Sequence, residues 1–156
     1  YGEDKTGEVY VVDATNSVNG EVDWSDEDSY LRSHFKVKFL NMTTEDAFYN
    51  FFVKRDIKID YLHIDADHTY EGCKLDFALY STIMNENGII SIHDTDERYW
   101  NNFETYESEP HDMAIGPSEF IKEISDEWEV FNLFDFKEKS MKLNSTGLTL
   151  LKKANI

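Results

Sequence analysis

The chain has 156 residues and a formal net charge of −17, with 32 acidic and 15 basic residues. Its length allows one domain with a hydrophobic core, and a hydrophobic content of 40% is typical of globular proteins. Nucleic acids and anionic membrane surfaces bind through lysine and arginine, so this charge excludes both as expected partners, whereas a small neutral or cationic ligand is compatible with it.

Two strands and a helix are predicted in the first third of the chain. Residues 9–13 form a β-branched run that ends in an acid, and residues 35–40 predict a second strand. The polar stretch between them, residues 16–30, predicts a surface loop with a helical turn near 26–31. A helix is predicted from Thr43, because two threonines and two acids precede apolar residues at helical spacing.

The middle of the chain predicts a strand, a helix and another strand. Residues 61–65 and 89–93 are short apolar runs, and residues 70–84 between them carry one helical stripe of apolar side chains. Gly88 is expected to end this helix in the left-handed conformation that suits a C-cap. Cys73 lies on the stripe, so we expect a core residue rather than a nucleophile, and a single cysteine excludes an intrachain disulfide.

The last third predicts a long loop, a helix and two closing strands. Residues 97–116 are polar and aromatic, and a loop of that length is often a lid or a substrate-binding element. A helix is predicted over residues 117–126, and strands over 129–134 and 146–151. This order predicts an α/β domain in three layers, with the carboxyl ends of its parallel strands at one edge.

Two of the predicted strands end abruptly in clusters of aspartate and histidine. Asp65, Asp67 and His68 follow the first strand, and His93 and Asp94 end the second. In open α/β sheets ligands bind at the carboxyl ends of the strands, so these side chains are expected on one rim. Carboxylate and imidazole groups suit divalent cations, and a histidine can act as a base near neutral pH. The alternative is that the histidines bind neighbouring loops and Asp94 caps a turn.

These residues resemble those of class I S-adenosylmethionine-dependent methyltransferases. Residues 59–72 are similar to an Ile-Asp-Gly-x-His-x-Tyr-Glu block, and residues 88–95 to a Gly-Gly-x-x-x-x-His-Asp block. The blocks belong to a subgroup found beside, or fused to, sugar-modifying enzymes. Ala66 and Asn87 stand where the family has glycine. The resemblance implies a Rossmann-like three-layer sandwich, with a mostly parallel sheet and an antiparallel C-terminal strand pair.

The resemblance also implies roles for the residues at the strand ends. The implied catalytic residues, which would activate an acceptor hydroxyl, are Asp65 and His68. The implied S-adenosylmethionine-binding residues are Asp13, Asn41, Met42, Thr43 and Asp65. The implied ligands of a divalent cation, magnesium in related O-methyltransferases, are Asp65, His93 and Asp94. A carboxylate at position 13 can accept two hydrogen bonds from the cofactor ribose, but a strand-end aspartate can equally cap a turn.

The glycine-rich loop that follows the first strand of this fold is absent from the sequence. We therefore expect a single methyltransferase-like domain over residues 1–156 that is incomplete at its N-terminus. The predicted activity is transfer of a methyl group to a carbohydrate or another small hydroxylated molecule. Two alternatives stay open: a non-catalytic module of the same fold in a larger assembly, and a metal-dependent hydrolase.

Localisation and partners follow from what the sequence lacks. It contains no apolar run of membrane-spanning length and no signal-peptide pattern, so we expect a cytoplasmic protein that does not bind membranes. The expected partner is a small-molecule substrate rather than a nucleic acid. A homo-oligomer or a larger complex is compatible with the sequence.

Overall fold

The computed structural model describes residues 7–14, 36–96, 115–133 and 147–153. The chain divides into two compact units, residues 1–55 and 56–156. The helical turn predicted near residues 26–31 and nearly all of the predicted loop 97–116 lie outside the described residues. The expectation of one domain that is incomplete at its N-terminus stays a prediction.

Two parallel strands form the sheet of the first unit. Strand β1 (Glu8–Val12) pairs in register with β2 (Lys36–Leu40), so that Val12 lies opposite Leu40. Residues 13 and 41 therefore leave the sheet at the same edge, because parallel strands paired in register end together. Both strands were predicted, and their observed bounds differ from the prediction by one residue.

The predicted helix of the first unit begins where expected. Thr43 is its N-cap, and the Thr43 hydroxyl accepts a hydrogen bond from the backbone N–H of Asp46 at 3.1 Å. Helix α1 (Thr44–Ala47) continues as a π turn (Phe48–Phe52) and then as a 3-10 turn (Val53–Arg55).

The second unit contains a four-stranded sheet in the order β3-β4-β6-β5. Strands β3 (Ile59–Ile64) and β4 (Met84–His93) are parallel, as a helical crossover between them requires. Strand β6 (Leu148–Lys153) pairs antiparallel with both β4 and β5 (Trp128–Leu133). The predicted antiparallel C-terminal pair is therefore confirmed, and antiparallel pairing extends one strand further into the sheet.

In the described part of the second unit, two helices cover one face of this sheet. Helix α2 (Tyr70–Tyr80) connects β3 to β4 and is followed by a 3-10 turn (Ser81–Ile83), and α3 (Gly116–Ile124) precedes β5. Among the described residues, no helix has both the length and the apolarity needed to cross a membrane. The predicted α/β class is confirmed.

The core of the second unit lies between the helices and the sheet. Its buried members are Ile64, Cys73, Phe77, Ile90, Ile92, Phe120, Ile121, Ile124 and Leu151. Phe120 is the largest side chain in this core that is fully buried, and its ring contacts the ring of Phe77 at a centroid distance of 5.1 Å. Cys73 is 1% exposed, so the prediction of a core cysteine is confirmed, and its burial raises the pKa of the thiol to about 12.

The prediction that Gly88 caps a helix is wrong. Helix α2 ends at Tyr80, and Gly88 is buried inside strand β4 without a left-handed conformation. A methyl group at this position would lie 2.7 Å from Cε of Met84 and 3.2 Å from the carbonyl oxygen of Ile59. An added methyl group would therefore crowd the end of Met84 and the backbone of β3, a constraint that chain periodicity does not reveal.

Candidate functional site

The two Asp-His clusters meet at the carboxyl edge of strands β3 and β4. Ile64 pairs with Ile92 in the parallel register, so Asp65 and His93 occupy equivalent positions at that edge. Asp94 follows with φ of 58°, a left-handed conformation that aspartate tolerates better than most residues. This turn directs the Asp94 side chain toward the clustered residues, where it is 6% exposed.

A short capped loop brings His68 back to the same edge. The Asp67 carboxylate accepts a hydrogen bond from the backbone N–H of Thr69 at 2.8 Å. The Thr69 hydroxyl accepts one from the backbone N–H of Gly72 at 3.0 Å, which caps helix α2. With Asp67 and Thr69 occupied in shaping the loop, the His68 imidazole lies over the strand ends.

Four side chains form an alternating ring of carboxylates and imidazoles. Nε2 of His68 lies 3.0 Å from Oδ2 of Asp94 and 3.7 Å from Oδ1 of Asp65. Nδ1 of His93 lies 3.1 Å from Oδ1 of Asp94 and 3.3 Å from Oδ1 of Asp65. The structure therefore brings together Asp65, His68, His93 and Asp94, all of which were predicted site residues.

The chain after Asp94 is fixed by contacts with strand β6. The Thr149 hydroxyl, which is fully buried, donates a hydrogen bond to the hydroxyl of Thr95 at 2.8 Å. Gly147, with φ of 89°, lies so close to Asp96 that a methyl group there would be 2.6 Å from the Asp96 nitrogen. These contacts hold the strained Asp94 backbone in place, at a conformational cost of roughly 1 kcal/mol.

The contact with Asp94 has an electrostatic consequence for His68. The hydrogen bond to the Asp94 carboxylate raises the pKa of His68, partial burial opposes that shift, and the charge of Asp65 adds to it. His68 is therefore more easily protonated in the folded chain than in the unfolded chain.

Stability should consequently depend on His68 within a defined pH window. Its contribution is complete below the ordinary histidine pKa of about 6.5 and is lost as pH rises through the raised value. We expect His68→Gln to destabilise the protein more at about pH 6 than at about pH 9, as measured by urea denaturation. The effect will be small, because solvent screens a partly exposed pair. A loss that stays constant or increases over this range would contradict the prediction.

His63, in strand β3, lies outside the core of the second unit. The His63 side chain is 43% exposed, on the sheet face opposite to the helices. Its Nδ1 lies 2.8 Å from the hydroxyl of Ser91, which is 2.7 Å from the Tyr61 hydroxyl, and its Nε2 lies 3.9 Å from Asp65. The alternation of Tyr61 and His63 with the apolar Leu62 was the sequence signal for this placement.

The cofactor-binding residues predicted in the first unit lie at one edge of its own sheet. Asp13 and Asn41 follow the paired ends of β1 and β2, and the backbone N–H groups of Asp13 and Met42 both bind the Leu40 carbonyl. Met42 is half-buried, and the Thr43 hydroxyl caps helix α1. Their roles in cofactor binding stay predictions, and Thr43 has a structural role besides.

Three members of the ring bring their donor atoms close enough together to share one divalent cation. One ligand atom each of Asp65, His68 and Asp94 lies within 4.8 Å of the other two. Two donors bound to one ion at about 2.1 Å lie roughly 3.0–3.4 Å apart, close to the observed contacts of both histidines with the carboxylates. The predicted cation set contained His93 rather than His68, whereas the structure places both imidazoles against the same two carboxylates.

Comparisons with known proteins identify the family and the fold of the chain. A family model described as a methyltransferase domain matches residues 2–95 of the chain. No curated protein matches the chain.

Solved structures that share its fold include one from Bacillus cereus and one from Staphylococcus aureus. An O-methyltransferase from Bacillus cereus in complex with SAH matches with a TM-score of 0.62 and 16% identity, covering 94% of this chain and 63% of that one. A candidate caffeoyl-CoA O-methyltransferase from Staphylococcus aureus matches with a TM-score of 0.63 and 12% identity, covering 94% and 65%. The chain therefore spans less than two thirds of the length of either structure.

Proposed function

The chain belongs to the methyltransferase-domain family, and from this premise we propose that it transfers a methyl group from S-adenosylmethionine to a hydroxyl oxygen of a small molecule. The observation that carries the proposal is the 3.0 Å contact between His68 and Asp94 at the carboxyl edge of two parallel strands. That edge is where α/β folds bind their ligands. The O-methyltransferase fold of the two solved structures supports the same reaction.

His68 is the proposed general base. Because a carboxylate only accepts hydrogen bonds, the contact with Asp94 assigns the hydrogen to Nε2 of neutral His68 and leaves a lone pair on Nδ1. An acceptor hydroxyl would give its proton to Nδ1 of His68, and bound S-adenosylmethionine would supply the methyl group to the hydroxyl oxygen and leave as the thioether. The Asp94 carboxylate orients the imidazole and stabilises the imidazolium that results.

S-adenosylmethionine is the proposed cofactor. Asp13, Asn41, Met42, Thr43 and Asp65 remain its proposed contacts. The Asp13 carboxylate is suited to accept hydrogen bonds from two ribose hydroxyls. The sulfonium is cationic and the product thioether is neutral, so the acidic edge at Asp65 favours the substrate form of the cofactor over the product.

A divalent cation is the second proposed cofactor. Asp65 and Asp94 would hold it together with an imidazole nitrogen of His93 or His68, and at that position it would lower the pKa of the acceptor hydroxyl. Nitrogen donors favour manganese, iron, cobalt or zinc over magnesium, which prefers an all-oxygen shell. A cation bound to Nε2 of His68 would replace the hydrogen there, so His68 would then act as a ligand rather than as the base.

The proposed acceptor is a carbohydrate or another small hydroxylated molecule, in the cytoplasm. The subgroup resemblance of residues 59–72 and 88–95 supports this choice. A two-metal hydrolase would need a second set of donors, and within the described parts of the chain only one set of three comes together. We therefore favour methyl transfer.

Binding of S-adenosylmethionine is the direct test, with Asp13→Ala as the diagnostic variant. Loss of two hydrogen bonds from a carboxylate should raise the Kd by roughly 10–100-fold, measured by isothermal titration calorimetry. Asp60→Ala removes an exposed carboxylate that accepts a hydrogen bond from Asn85, and should leave the Kd within about twofold.

Methyl transfer from radiolabelled cofactor to a panel of sugars completes the test. Transfer that is abolished by a chelator and restored by manganese supports the cation, and transfer that a chelator leaves unchanged favours His68 acting alone. Cofactor binding without transfer to any acceptor favours a non-catalytic module. Absence of measurable binding by the full chain would contradict the enzyme proposal.

A further inference from the structure

Two glycines lie in close contact with the loop that carries His68. Gly72, in helix α2, faces the Asp67 side chain, and a methyl group on it would lie 2.3 Å from Cγ of Asp67. Gly116, the first residue of helix α3, faces the loop backbone, and a methyl group there would lie 2.4 Å from the His68 carbonyl oxygen and 2.3 Å from the Tyr70 nitrogen. His68 thus lies in a segment enclosed by the backbones of two helices.

These two positions need glycine because neighbouring atoms leave no room for a side chain, not because of their backbone conformation. Among the glycines that the structure describes, Gly147 is the one with a positive φ, so Gly72 and Gly116 adopt conformations open to alanine. In a helix, alanine is more favourable than glycine by as much as about 1 kcal/mol. The contact with the loop is the feature that an alanine at either position would disturb.

Helix α3 cannot easily move away from the loop. Phe120 is 1% exposed and packs edge-on against the rings of Phe77 and Tyr70. Glu123 accepts hydrogen bonds from the Tyr70 hydroxyl and from Nζ of Lys74, so the outer side of α3 is also joined to α2. A methyl group added at the start of α3 would therefore displace the loop rather than the helix.

We propose that Gly72 and Gly116 are positioning residues that set the location of the His68 imidazole relative to Asp94. The role rests on the proposed function, in which the His68–Asp94 pair activates the acceptor. Gly116 fixes the loop backbone at residues 68–70, and Gly72 fixes the Asp67 side chain that shapes the same loop. A displacement of His68 by about 1 Å can lower the rate by roughly 100-fold without any change in the reacting groups.

Gly116→Ala and Gly72→Ala test this proposal, with Gly7→Ala as the matched control. Gly7 has no atom within 4 Å of an added methyl group, so the same substitution there meets no neighbour. We expect kcat to fall by roughly 10–100-fold in the two loop variants, with the KM for S-adenosylmethionine within about threefold. Gly7→Ala should leave kcat within about twofold.

The position of His68 is read separately by nuclear magnetic resonance. The imidazole Hε1–Cε1 peak of His68, assigned by its loss in His68→Gln, should shift in Gly72→Ala and Gly116→Ala while the His63 peak stays in place. Denaturation should show that Gly72→Ala remains folded, because the preference of alanine for the helix offsets part of the cost of moving Asp67. Reduced activity together with a shifted His68 peak in a folded variant is a result that a merely structural glycine would not give.

Each outcome decides the proposal. An unchanged His68 peak and unchanged kcat in the folded variants would overturn it. If Gly116→Ala does not fold, Gly72→Ala decides by the same measurements, because the atoms that it displaces belong to an exposed side chain. If the wild type transfers no methyl group, the proposed function fails by itself, and the His68 peak still shows whether the glycines position the imidazole.

Discussion

Asp94→Asn is expected to lower the rate of methyl transfer by about 10²–10⁴-fold while leaving the fold intact. Asparagine has the size of aspartate and also tolerates the left-handed conformation found at φ of 58°. The variant removes the negative charge that contacts His68 at 3.0 Å and His93 at 3.1 Å. The imidazolium formed at His68 then loses its carboxylate, and a divalent cation loses a ligand.

Asp56→Asn is the control, because Asp56 is the other described non-glycine residue with a positive φ, at 51°, and is exposed. Its activity should stay within about twofold of the wild type. Affinity for manganese, measured by electron paramagnetic resonance, should fall in Asp94→Asn but not in Asp56→Asn. Wild-type activity in a folded Asp94→Asn protein would remove the main support for the proposed site.

Phe120→Ala is expected to destabilise the protein by about 3–5 kcal/mol. Phe120 is 1% exposed, and its ring lies 5.1 Å from that of Phe77 and 6.3 Å from that of Tyr70, measured between centroids. Removing the ring leaves a cavity between helices α2 and α3 that rigid neighbours cannot fill. Typical domains are stable by only about 5–15 kcal/mol, so this loss would leave a marginal fold.

Phe131→Ala is the matched control, since the Phe131 side chain is 54% exposed on strand β5. It should change the free energy of unfolding by less than about 1 kcal/mol. Guanidinium denaturation at 25 °C measures both variants. Equal losses for Phe120→Ala and Phe131→Ala would contradict the assignment of the core to the interface between the helices and the sheet.

The strands, the helices and the two clusters were predictable from local patterns. Local patterns placed β3, α2 and the C-terminal end of β4 within a few residues of their observed positions. A strand buried on both faces is apolar throughout, whereas a helix buried on one face is apolar at every third or fourth residue. The errors occurred where local patterns are ambiguous. Gly88 was interpreted as a helix cap, whereas it lies in β4, because a glycine inside a strand looks the same in sequence as one in a turn.

The sequence by itself determined that Asp65 and Asp94 end neighbouring strands, because an apolar run followed by acids marks where a buried strand reaches solvent. Only the tertiary structure decided that His68 faces both carboxylates and that His63 lies on the exposed sheet face. It also decided that Gly116, which is distant in sequence, contacts the loop that carries His68. Those relations depend on strand register and on helix packing distances. Such quantities are set by the sum of many contacts across the fold, and no single stretch of sequence contains them.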